Sequence, residues 1–142
     1  MIDSFHRRNL PHLYFTDGLY FITYRLANSM PYEKLAEVNS NPADWDFNKY
    51  KRVFIKYDNL LDSGNYGINY LKQKELADVC RETLHYPDGN NYKLICYCIM
   101  PNHIHLVFKL LPQNKGIDKI MQSIKRISSR KCNLLLGKEG KF

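Results

Sequence analysis

Residues 92–110 constrain the fold of this chain more than any other stretch. Tyr92 to Met100 reads as an apolar strand of the kind found at the centre of a sheet. Pro101-Asn102 interrupts it, and His103-Ile-His-Leu-Val-Phe-Lys-Leu110 resumes the strand pattern. Two such runs joined by turn-forming residues specify a β-hairpin. Side chains alternate faces along a strand. Ile104, Leu106, Phe108 and Leu110 therefore form a core face, and His103, His105, Val107 and Lys109 form the other. The pattern sets two imidazoles side by side, close enough to share one divalent ion. Two histidines satisfied by solvent or by the core would give the same spacing, so His-x-His alone leaves both readings open.

The rest of the chain supplies a sheet and helices to cover it. Residues 1 to 18 read as an irregular arm, with Arg7, Arg8 and His12 on it. Leu19 to Leu26 is aromatic and β-branched and reads as the first strand of the sheet. Within it, Tyr20, Phe21 and Tyr24 are expected to pack the core and sheet. A short helix spans Pro31 to Val38, with proline near its start. Asn39 to Pro42 is a turn, and a longer helix over Ala43 to Leu61 reads as scaffold. Asp62 to Gly67 reads as a loop. Lys72 to His85 shows a 3.6-residue apolar period. From Ile117 to about Leu136 a helix buries Ile117, Ile120, Met121, Ile124 and Ile127, and Gly137 is placed to stop it.

This order, strand–helices–strand–strand–helix, is an α+β pattern. One more strand would complete the split β-α-β-β-α-β sheet of the ferredoxin-like fold, antiparallel and with helices on one face. The histidines would then project from the uncovered face. A length of 142 residues suits a single domain over 1–142 with a real core.

Charge is distributed unevenly. Of the formal +7, residues 115–142 carry +6, from eight basic and two acidic side chains, and residues 1–114 carry only +1. A basic segment of this kind suits a polyanion-binding surface, although a solvated helix face is the plainer reading. Lys119, Lys125, Arg126, Arg130 and Lys131 are the candidate contacts to such a polyanion. The four cysteines form no Cys-x-x-Cys pair, and Cys96 and Cys98 fall in a strand, so reduced, buried thiols are expected. No secretory signal or membrane-length apolar run is visible, and the expected location is cytoplasmic.

Met100-Pro-Asn-His-Ile-His-Leu-Val107 resembles the signature of the HUH single-tyrosine transposases, and most of all their REP-associated tyrosine transposase branch. The resemblance runs through nearly the whole chain. It includes Arg7-Arg8 with Leu10-Pro11-His12, Tyr20 to Leu26, Tyr57-Asp58-Asn59-Leu60-Leu61-Asp62, Leu76-Ala77 and Tyr92-Lys93-Leu94. It continues with Ile120 to Lys125 and Asn133 to Gly137.

That resemblance implies a mechanism. A His pair and a third polar side chain bind Mg2+ or Mn2+, and the metal activates a phosphate of single-stranded or hairpin DNA. A tyrosine then attacks, giving a 5′-phosphotyrosine and a free 3′-hydroxyl. Here the metal role carries over to His103 and His105 only. Asn133 and Gln122 are candidates for a third ligand, with a structural or DNA-contact role as the alternative.

In the family, the nucleophile sits on a later helix. Here the eleven tyrosines end at Tyr97, which alternates with Cys96 and Cys98 on the strand before the histidines. No catalytic residue is assigned. The last strand and the tyrosine-bearing helix are expected to lie outside this sequence, and the polypeptide alone is expected not to cleave DNA. A homodimer is compatible with the resemblance, and no membrane partner is expected. Two other readings compete. One is a non-catalytic, domesticated or degenerate nucleic-acid-binding module. The other is a small metal-dependent hydrolase unrelated to DNA, which the basic segment and the lack of a carboxylate near the histidines in sequence argue against.

Overall fold

A computed structural model describes residues 4–7, 11–15, 17–38 and 47–142. Its elements are β1 (Ser4–Arg7), β2 (Pro11–Tyr14), β3 (Leu19–Arg25), α1 (Tyr32–Val38), α2 (Phe47–Asp62), α3 (Lys74–His85), β4 (Tyr92–Ile99), β5 (His103–Leu110) and α4 (Ile117–Leu136). A single 3-10 turn, Tyr70–Lys72, precedes α3. The turn expected at Asn39 to Pro42 and the first residues of the helix expected from Ala43 lie outside the described residues.

Three strands form the main sheet in the order β3-β5-β4, with β5 antiparallel to both neighbours. β3 and β4 thus run parallel on either side of the third strand, the arrangement of a split β-α-β unit. The α+β, ferredoxin-like expectation is met by this sheet and its helices. The central strand, however, is β5, and β4 lies at an edge. Its apolar composition suggested the reverse. An edge position explains the bulge between Leu94 and Cys96, where Ile95 is the extra residue. The bulge also turns Cys96 and Cys98 outward, so both are exposed, and only Cys80 and Cys132 are buried.

The N-terminal arm is not irregular throughout, because β1 and β2 pair antiparallel, with His6 opposite His12. Two four-residue strands are too short for their alternation to stand out from a loop.

The core lies between the sheet and the α3–α4 layer. Tyr24, Tyr92, Ile104, Leu106, Phe108 and Leu110 from the sheet meet Leu76, Cys80 and Leu84 of α3 and Ile120, Met121, Ile124 and Cys132 of α4. Phe108 stacks on Tyr92 at 4.7 Å between ring centroids, and the Tyr92 hydroxyl donates to the Leu84 carbonyl. Lys138 N–H bonds the Asn133 carbonyl beyond Gly137, which stands at φ +61° and ends α4 as its position suggests.

The β4–β5 hairpin is closed by Met100 N–H on the His103 carbonyl, with Pro101 and Asn102 as its two-residue loop. Two outside contacts fix that loop. Leu26 N–H bonds the Asn102 carbonyl at 2.9 Å, and Leu71 N–H bonds the Pro101 carbonyl at 3.0 Å.

Candidate metal centre

β5 delivers both histidines to the sheet face opposite the core. His103 pairs across the sheet with Arg25, and His105 with Thr23 on one side and Cys98 on the other. Their Nε2 atoms lie 3.0 Å apart. α2 crosses this face. Its Phe54 meets Phe21 edge-on at 5.9 Å, and its last residue, Asp62, reaches the histidines. Asp62 Oδ1 lies 3.0 Å from His103 Nε2 and 3.4 Å from His105 Nε2. The face expected to be open is therefore covered by α2 at its His103 end only, where His103 is fully buried, while His105 is 17% exposed and the face beyond it stays open. Solvent reaches the cluster through Asp62, whose side chain is 48% exposed.

The outer ring nitrogens are held as well. Asn102 Oδ1 accepts from His103 Nδ1–H at 2.7 Å, and Thr23 Oγ1 lies 2.9 Å from His105 Nδ1. Asn102 is itself buried, unusual for a turn residue, and this bond satisfies its side-chain oxygen. A proton on His103 Nδ1 leaves the Nε2 lone pair free, and the Thr23 hydroxyl can do the same for His105 by accepting from its Nδ1–H. Such outer partners fix the tautomer and direction of a metal-binding imidazole.

Burial pushes the His103 pKa below the ordinary histidine value. Neighbouring His105 pushes the same way, and Asp62 opposes both. The ring is thus held in the neutral form that a metal requires. Donors about 2.1 Å from a six-coordinate ion, at right angles to one another, lie about 3.0 Å apart. The three donor atoms of Asp62, His103 and His105 match one triangular face of such an ion, and they are the metal-ligand cluster found among the described residues. The donor set of one carboxylate and two imidazoles suits a divalent cation.

Asp62 is the residue that sequence reasoning missed. In the sequence it reads as the first residue of a loop, and the carboxylate that the residues flanking the histidines do not supply arrives from 41 positions earlier in the chain. In the sequence, Tyr57 to Asp62 stands out only as part of the family resemblance. What positions Asp62 is the chain on both sides of it. Leu61 is buried, and the loop after Asp62 returns to the end of β3 at Gly67. There φ is +73°, and a Cβ would lie 2.3 Å from the Asn28 carbonyl oxygen, so only glycine fits.

The other sequence candidates lie elsewhere. Asn133 is buried in α4 and donates to the Gly140 carbonyl, and Gln122 is exposed on the same helix. Lys119, Lys125, Arg126, Arg130 and Lys131 are exposed on α4, in the layer on the far side of the sheet from the histidines. Tyr97 also faces that layer, where its hydroxyl lies 3.3 Å from His85 Nε2, and so it is not beside the Asp62–His103–His105 cluster. Burial raises the pKa of Tyr57 on α2, and the positive charge of Arg25, the cross-strand neighbour of His103, opposes it.

Phe21, expected to pack the core and sheet, projects from the histidine face and not into the core; it packs on His105 of the sheet at 5.5 Å and is 51% exposed. No described helix is long and apolar enough to cross a membrane.

A family model described as "Transposase IS200 like" matches residues 64–138, just over half of the chain. The matched region holds α3, the histidine hairpin and α4, and it begins two residues after Asp62. No curated protein and no solved structure matches the chain.

Proposed function

Because the chain belongs to the IS200-like transposase family, we propose that it is an HUH-type DNA-transposition domain of the REP-associated branch. In this reading residues 1–142 act as one cytoplasmic domain that binds single-stranded or hairpin DNA and a divalent ion, Mg2+ or Mn2+. Asp62, His103 and His105 hold the ion. The observation that carries the reading is the convergence of their three donor atoms at 3.0–3.4 Å, with the outer nitrogens engaged by Asn102 and Thr23.

When bound, the ion supplies Lewis-acid polarisation of a phosphate oxygen. The chain's own groups do the rest. Asn102 and Thr23 hold the rings in the metal-ready tautomer, and α2 shields His103 from water. Arg25, the cross-strand neighbour of His103, donates its guanidinium to the Leu26 carbonyl and the Ser29 hydroxyl and so ties the end of β3 beside the site. On α4, Lys119, Lys125, Arg126, Arg130 and Lys131 supply phosphate contacts on the other layer. The tyrosine needed for strand cleavage is not assigned to any position of this sequence.

Calorimetric titration with Mn2+ tests the site. A single ion per chain is expected, with binding lost in Asp62→Ala and in His103→Ala. If DNA affinity is unchanged in those variants, the ion serves chemistry and not recognition. If the wild-type chain binds no ion, the metal assignment fails and the non-catalytic nucleic-acid-binding module takes its place. Tyr97 facing away from the cluster is the observation that favours this second reading. Incubation with hairpin DNA and Mn2+, followed by denaturing electrophoresis, is expected to show no covalent protein–DNA band. Such a band would show that a tyrosine of this chain is the nucleophile.

A further inference from the structure

The histidine face continues beyond the metal cluster in two further rows of side chains. Next to the Thr23–His105–Cys98 row stands Phe21–Val107–Cys96, and after it Leu19–Lys109–Lys93. All project to the same side of the sheet as the histidines. The first of these rows carries the half-exposed Phe21 ring, and the last carries two lysines directly opposite each other across β4 and β5. Like charges paired in this way cost a sheet stability. Both lysines are exposed, and among the described residues neither has a carboxylate partner. Beside them Leu19 is exposed too, an apolar side chain next to an unneutralised pair of cations.

A cation pair, an exposed ring and a metal cluster in line demand a ligand that alternates anionic and flat apolar groups. From His105 to Lys109 the line is about 13 Å long. A single nucleic-acid strand has that alternation, with phosphates for the metal and lysines and bases for the ring. Phe21 is already stacked on His105 and met edge-on by Phe54, yet half of it stays exposed, and an acidic peptide would satisfy the lysines without bringing a flat group to that exposed part.

We infer that Phe21, Lys93 and Lys109 form a track for single-stranded DNA that leads across the sheet into the Asp62–His103–His105 cluster. The track rests on the function proposed above and adds a surface to it. It lies on the opposite side of the sheet from the basic α4 stripe, so a strand lying in it does not touch α4.

Fluorescence anisotropy with a labelled oligothymidylate, in buffer containing Mn2+ and over a range of salt, tests the track. For the Lys93→Ala/Lys109→Ala double variant, the slope of log affinity against log salt is expected to fall by about 1.4, two phosphate contacts at about 0.7 each. Phe21→Ala is expected to weaken binding about 5- to 150-fold, the range for one stacked base. Thermal melts of the lysine variant should be no lower than wild type, because both side chains are exposed and their mutual repulsion is removed, so its result stands even if Phe21→Ala perturbs the fold. If the wild-type chain binds the oligonucleotide and the lysine variant keeps both affinity and slope, the track is wrong and the proposed function survives. If the wild-type chain binds no oligothymidylate, the track is wrong, and if it also binds no hairpin DNA the proposed function falls with it. If polyglutamate displaces the oligonucleotide at equal charge concentration, the occupant is an acidic polypeptide and the track for DNA is wrong.

Discussion

The two faces of the β3-β5-β4 sheet are built from the same strands and obey different rules. On one, Ile104, Leu106, Phe108 and Leu110 are sealed against α3 and α4, and the gain is stability. On the other, one strand position away each time, sit His103, His105, Val107 and Lys109. There an imidazole pair with one ring buried, an aspartate and two opposed lysines are gathered, none of which helps a sheet to fold. The first face explains why the chain folds. The second collects groups that would be costly without a cation and an anion to meet them, and that cost is the mark of a binding surface.

The comparison predicts its largest effect on the core face. Phe108→Ala should cost about 3–5 kcal/mol of unfolding free energy. Phe21→Ala, on the same sheet but on the other face, should cost far less. Paired denaturant titrations measure both, and equal losses would mean that the histidine face is also core.

Metal affinity should come next. Asn102→Ala and Thr23→Val each remove a partner of an outer ring nitrogen and should weaken Mn2+ binding about 10- to 100-fold. Thr23→Val keeps the side chain's shape, so its melt should stay near wild type. An unchanged Mn2+ affinity in both would mean that the rings need no orienting.

The basic helix offers a smaller effect. Arg126→Ala with Arg130→Ala should weaken DNA binding and reduce its salt slope while leaving Mn2+ affinity alone, because α4 lies on the other layer. An unchanged slope would remove α4 from the DNA interface and leave the sheet face as the site of contact.

The smallest effect is set by pH. The His103 pKa is lowered in the folded chain, mainly by burial. Without metal, this group's contribution to stability is full above about pH 6.5, the ordinary histidine value. It declines as pH falls from there towards the folded value, because only the unfolded chain takes up the proton in that window. The decline cannot exceed about 1.4 kcal/mol per pH unit for one group. His103→Gln should flatten it, and denaturant midpoints measured from pH 7 to pH 5 would show this.

The sequence by itself determined the hairpin, its two faces and the stop of α4. These follow from local rules: a period of two in β5, a Pro-Asn break, a helical period after Ile117 and glycine at position 137. The tertiary structure decided what local rules cannot reach. Whether β4 or β5 is central depends on partners distant in sequence, and an apolar run looks alike in either place. The exposure of Cys96 and Cys98 hangs on one extra residue in a strand, and the outward turn of Phe21 on which neighbours cover it. Asp62 is the plainest case. A carboxylate at the end of a helix has no periodic signature, and it becomes a candidate ligand only because the chain folds back across 41 residues to meet two imidazoles.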